Sequence, residues 1–147
     1  MNRTSLIIGG LAALLGTYTM AQNTAGISKT DLDAWLRAYE QAWEQKDADA
    51  VAKLFTPNAR YFETPYSAPF EGPAGVSEYW TRVTANQQDI DFQYEVIAVD
   101  GNTGVATWSS KFKTIPDGTP VELNGAFVLD FDDSKRCVRL REWWHAR

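Results

Sequence analysis

Apolar residues along the first half of the chain recur at helical spacing, and those along the second half alternate. Leu32, Trp35, Leu36, Tyr39 and Trp43 place one broad aromatic stripe on a helix. Ser28-Lys29-Thr30-Asp31 opens that helix, with a capping hydroxyl and an acid three residues on. Asp47 caps a short second helix that carries Val51, Leu54 and Phe55 inward. Pro57-Asn58 is expected to break it before a strand over Ala59 to Glu63. Thr64 to Pro73 then holds three prolines and reads as a loop. Pro73 stands in the first turn of a third helix that runs to about Asn86, with Val76, Tyr79, Trp80 and Val83 on one face.

From there the period changes to two. Strands are predicted over Phe92–Val99, Val105–Ile115, Val121–Phe131 and Cys137–His145, separated by Asp-Gly-Asn, Pro-Asp-Gly and Asp-Asp-Ser hairpin signals. The order is ααβα followed by four antiparallel strands. Alternation turns Ala106, Trp108, Ser110 and Phe112 to one face, and Leu123, Phe127 and Leu129 likewise. On the last strand Val138, Leu140, Glu142 and Trp144 share the inner face. Arg139, Arg141, Trp143 and His145 share the outer one.

Size allows one domain around one core, since the chain has 147 residues. Aromatic residues make up 13% of it, six of them Trp, which suits either a heavy core or the wall of a cavity. A net charge of −5 argues against nucleic acid as a partner, because phosphate binding needs a basic face. Cys137 is the only cysteine, so no internal disulfide can form and a buried thiol is expected.

Residues 1–21 read as a signal peptide. Arg3 precedes an apolar run from Leu6 to Leu15, and Thr19-Met20-Ala21 is a small-residue cleavage site. A membrane anchor is the alternative, but a spanning helix needs about 20 apolar residues and this run is shorter. The expectation is a periplasmic or secreted protein with no stable membrane anchor after processing, a loose leader over 22–27 and a folded domain over 28–147.

With the elements in place, the chain resembles the nuclear transport factor 2-like superfamily, and more closely its SnoaL-like and ketosteroid isomerase-like bacterial branches. The residues that carry the resemblance are Trp43 with Asp47, the turn Leu54-Phe55-Thr56-Pro57-Asn58-Ala59, Phe70-Glu71-Gly72, and the ending Arg141-Glu142-Trp143-Trp144. It implies a cone-shaped α+β barrel, three helices packed on a curved, mostly antiparallel sheet around a pocket. It also implies pairing of two copies through the outer sheet face, where Val128, Trp143 and His145 are large or apolar for a surface. The activity stays open, because this fold serves isomerases, cyclases, dehydratases, binders and scaffold subunits.

Glu142 is the one acid on the apolar inner face. It either exchanges protons with a ligand, since burial raises a carboxyl pKa, or sits solvated or paired at a rim. Tyr39 matches the place of the ketosteroid isomerase tyrosine that donates to the substrate oxygen, or is a core ring. The resemblance fails elsewhere. Thr64 stands where those isomerases carry their aspartate base, and Phe127 where they carry their protonated acid. Glu63 adjoins the lost base but is expected to turn outward by one residue. His145, the only histidine, is expected outside and packed or at a dimer contact. No metal-ligand spacing, phosphate loop or serine nucleophile motif is present, so neither metal nor cofactor is inferred.

The expected pocket is lined by Phe62, Thr64 and Trp80 from the first half of the chain. Trp108, Ser110, Phe112, Phe127, Leu140 and Trp144 complete it from the sheet. It would hold a small apolar or aromatic molecule, with Glu142 moving a proton and Tyr39 orienting an oxygen. The alternative is a non-catalytic binding or dimeric scaffold module of the same fold.

Overall fold

A computed structural model describes residues 26–147, so the expected signal peptide and most of the leader lie outside the described residues. The leader's last residue is docked: Ile27 is buried, and its N–H donates to the Gly101 carbonyl at 2.9 Å. The folded part therefore starts one residue before Ser28.

Helix α1 (Lys29–Glu44) begins with the expected capping box. Ser28 Oγ accepts from the Asp31 N–H at 3.1 Å, and Asp31 Oδ2 accepts from the Ser28 N–H at 2.8 Å. Its stripe of Leu32, Trp35, Leu36, Tyr39 and Trp43 is fully buried. Asp47 caps α2 (Ala48–Lys53), accepting from the Ala50 N–H at 2.9 Å. Then come β1 (Phe55–Phe62), the two-residue β2 (Phe70–Glu71), α3 (Gly72–Thr84) and four long strands: β3 (Gln87–Asp100), β4 (Thr103–Thr114), β5 (Pro120–Phe131) and β6 (Cys137–Ala146).

The strands form one curved, open sheet in the order β2-β1-β6-β5-β4-β3, with the three helices packed on its concave side. This is the expected cone-shaped α+β architecture. Only β1 and β6 pair in parallel; the other neighbours are antiparallel. The chain-terminal strand thus joins the early hairpin to the late meander.

Two details differ from the sequence reading. Pro57-Asn58 does not separate helix from strand. Both residues lie exposed within β1, where the ladder to β6 is irregular between Phe55 and Arg60, as proline without an N–H requires. Gly72 opens α3 at φ +62°, and a Cβ there would come within 2.7 Å of the Pro57 carbonyl oxygen, so this irregularity and the α3 start are fitted to each other. On β6, Val138 is exposed rather than inward. Asp130 pairs with Arg139 but Phe131 with Cys137, so Val138 is an extra bulged residue and Cys137 takes the inner position.

Candidate functional site

Between α1, β1, α3 and the inner face of β4, β5 and β6 lies a cavity of about 290 Å³. Helical spacing on α1 brings Tyr39 and Trp43 to its wall, and α3 brings Tyr79 and Trp80. Trp108 and Phe112 border it from β4, and Glu142 and Trp144 from β6. These aromatic walls are mutually braced. Tyr39 meets Trp80 edge-on at 5.3 Å, Trp43 meets Trp80 at 5.0 Å, and Trp43 Nε1 donates to Gln87 Oε1 at 2.9 Å. At the mouth, Trp144 Nε1 donates to the Glu63 carbonyl at 3.2 Å.

The polar centre is a chain of three groups. Tyr61 Oη donates to Glu142 Oε1 at 2.9 Å, and Tyr39 Oη lies 3.1 Å from Tyr61 Oη. Either hydroxyl can donate in the second bond, and Tyr39 does so when Tyr61 gives its one proton to an ionised Glu142. Each bond polarises the next. Burial pushes the Glu142 pKa up to about 8; the Tyr61 bond acts against this, and the nearby Glu63 charge adds to it. Burial and then the Glu142 charge push the hydroxyls of Tyr39, Tyr61 and Tyr79 well above their ordinary value, so all three are neutral donors at physiological pH. Glu142 is only 5% exposed, and at pH 7 it is predominantly a neutral carboxylic acid.

Six of the residues singled out in the sequence meet at this cavity: Glu142, Tyr39, Trp80, Trp108, Phe112 and Trp144. Phe127, Leu140 and Ser110 are buried in the layer behind it. Phe127 pairs across the ladder with Glu142 and stacks on Trp108 at 5.3 Å, so it supports the wall without bordering the space.

Phe62 and Thr64 are placed elsewhere. They border a second hollow of about 240 Å³ with Pro65, Arg139, Arg141, Trp143 and the edge of Glu142. The reason is the parallel ladder, in which Tyr61 pairs with the inward Leu140 and Phe62 with the outward Arg141. The Arg60 guanidinium, also outward, lies 5.0 Å from the Phe62 ring centre. The expected orientation of β1 was therefore off by one residue. Tyr61 occupies the inner position expected for Phe62, and Glu63 borders the cavity instead of facing solvent. Tyr39 borders the cavity with its hydroxyl engaged by Tyr61, and Tyr61 is the group that touches Glu142.

His145 is exposed on the outer face and borders a shallow hollow with Lys111 and Glu122. A larger depression, about 990 Å³ between α2 and α3, is an open groove edged by Asp49, Lys53, Glu78 and Arg82. Its charged groups are solvated, so the unusual chemistry belongs to the smaller cavity.

A family profile described as SnoaL-like domain matches residues 36–140. No curated protein sequence matches the chain significantly. Among solved structures, a Bacillus subtilis protein provisionally named an isomerase superposes with a TM-score of 0.71 at 23% identity, over 81% of this chain and 90% of that one. SalBIII, an epoxide hydrolase/cyclase-like enzyme of pyran ring formation in the polyether salinomycin, gives 0.69 at 22% identity, over 80% and 93%. A ketosteroid isomerase-like protein from Catenulispora acidiphila, solved with trimethylamine, gives 0.66 at 15% identity, over 74% and 83%. At these identities the likeness is one of fold.

Proposed function

We propose, proceeding from the fact that this chain belongs to the SnoaL-like domain family, that its cavity binds a small, largely apolar or aromatic molecule and that Glu142 exchanges a proton with it. The observation that carries this reading is a buried carboxyl, held by Tyr61, bordering unfilled aromatic-walled space. The cavity is at the small end of the roughly 300–1,000 Å³ range of ligand sites, which favours a compact ligand. A pKa of about 8 leaves Glu142 protonated at neutral pH, so toward the oxygen of an uncharged ligand it acts first as an acid. Glu63, which also borders the cavity, is the candidate proton acceptor beside it. Acid-assisted ring closure, ring opening or isomerisation fits two such groups. The pyran-forming neighbour makes ring closure the first reaction to assay.

The scaffold alternative is disfavoured because Glu142 and Tyr39 border the same open space, where a scaffold would have packed rings. A thermal-shift screen of compact ring compounds, followed by turnover assays on the hits, tests the proposal. Glu142→Gln should retain binding while turnover falls about 100-fold or more. Undiminished turnover by that variant would remove Glu142 from the chemistry.

Export and pairing are proposals of the same kind. Export rests on the sequence of residues 1–21 alone, and a mature N-terminus near Gln22 outside the cytoplasm would establish it. Pairing rests on Trp143 and Val138, which stand 45% and 37% exposed on the outer face. Light scattering should show a dimer that Trp143→Ala weakens; a monomer at high micromolar concentration would count against it.

A further inference from the structure

The cavity carries formal charge of one sign only. Glu63 and Glu142 border it, and among the described residues no lysine, arginine or histidine does. The cations nearest in sequence to Glu142 do not border this cavity; Arg139 Nε and Arg141 Nη2 lie 2.7 and 3.4 Å from Asp130 Oδ2. The remaining wall is largely aromatic, and ring faces carry negative quadrupole density that attracts cations. An anion entering this space would lose its hydration and meet the Glu63 carboxylate with no cation in the wall to offset it. A neutral molecule gains burial alone. A cation with an apolar body gains burial, two carboxyl partners and ring faces together.

We propose that the cavity selects small organic ammonium ions, with Glu142 and Glu63 receiving the charged head and the rings of Tyr79, Trp80 and Trp108 enclosing the body. This rests on the reading of the cavity as the ligand site and names the class of ligand. Trp80 adds a detail: its indole N–H is buried without a partner among the described residues, leaving a donor for an ether or hydroxyl oxygen on the ligand.

Binding of such an ion changes the protonation of Glu142. The groups that face this carboxyl are Tyr61 and Glu63 from the β1 end, Tyr39 from α1 and Tyr79 from α3. The tyrosines keep their protons. An ammonium head beside Glu142 favours its carboxylate and offsets the repulsion from Glu63, so the Glu142 proton leaves to solvent as the ligand arrives. The Tyr61 hydroxyl already points at the oxygen that gains charge.

Three probes of one size separate the possibilities: benzylammonium, benzyl alcohol and benzoate, titrated into the protein at pH 7 by calorimetry and tryptophan fluorescence. Benzylammonium should bind about 10-fold or more tighter than benzyl alcohol, and benzoate weakest. Calorimetry in two buffers of different ionisation enthalpy should show release of about one proton per ammonium ion bound. Glu142→Gln should abolish that release and narrow the preference, while its melting curve reports that it is folded. Equal or tighter binding of the alcohol or of benzoate would overturn the charge selection and leave the ligand site standing. Binding of none of the three would overturn the ligand-site reading for compounds of this size, and the selection with it.

Discussion

The folded protein should lose stability as the pH rises from 4.5 to about 8, and Glu142→Gln should remove most of that loss. In the folded state Glu142 keeps its proton up to about pH 8, whereas in the unfolded chain it loses it near 4.5. Between these values the unfolded chain binds fewer protons, so each pH unit favours unfolding by about 1.4 kcal/mol. The stabilisation is fully present below 4.5 and gone above about 8, a loss on the order of 5 kcal/mol. For a domain of this size that is roughly 10–20 °C in melting temperature. The carboxyls held low by hydrogen bonds and ion pairs, Asp31 and Asp130 among them, lose their contribution in more acid solution and do not obscure this window. Glu40, raised by partial burial, acts in the same direction, but it is mostly solvated and contributes little. Melting curves of parent and variant at pH 5, 7 and 8.5 decide the matter. The variant should match the parent at pH 5 and exceed it at pH 8.5, and parallel curves would mean that Glu142 is ionised in the fold.

Tyr39 separates a ring effect from a hydroxyl effect. Its ring touches Trp35, Trp43, Trp80, Phe92 and Phe127, and it is 1% exposed. Tyr39→Ala should cost about 3–5 kcal/mol, from lost burial and the cavity left behind. Tyr39→Phe keeps those contacts and removes only the bond to Tyr61, so it should cost about 1–2 kcal/mol. Urea unfolding measures both. A Phe variant as unstable as the Ala variant would show that the hydrogen-bonded chain, not the ring packing, dominates at this position.

The elements and their faces were legible wherever one period ran undisturbed. The α1 stripe and the alternation of β4 placed Trp35, Tyr39, Ala106 and Trp108 correctly because every second or fourth residue answers to one buried face. Glu142 stood out for the same reason, as an acid among apolar partners. Legibility failed where the backbone changed its count. The bulge at Val138 and the irregularity at Pro57-Asn58 each interrupt a two-residue period, and no side-chain pattern over so few residues fixes the parity beyond them. Tyr61 was missed on that account, and with it the donor to Glu142. Its orientation is set by pairing with β6, a contact between residues 81 apart in sequence when it ends at Glu142. Such a contact is invisible to any local window.

The place of β6 in the sheet has a consequence for how the molecule is made. β6 follows the other described strands in sequence, yet it lies between β1 and β5, with the β2-β1 hairpin on one side and the β5-β4-β3 meander on the other. Until β6 is in place, each of those pieces keeps an unpaired edge. Joining them needs pairs between residues as distant in sequence as Phe55 and Cys137, and such long-range pairing slows folding relative to sheets built from consecutive strands. The strand that makes this join is also the one that delivers Glu142.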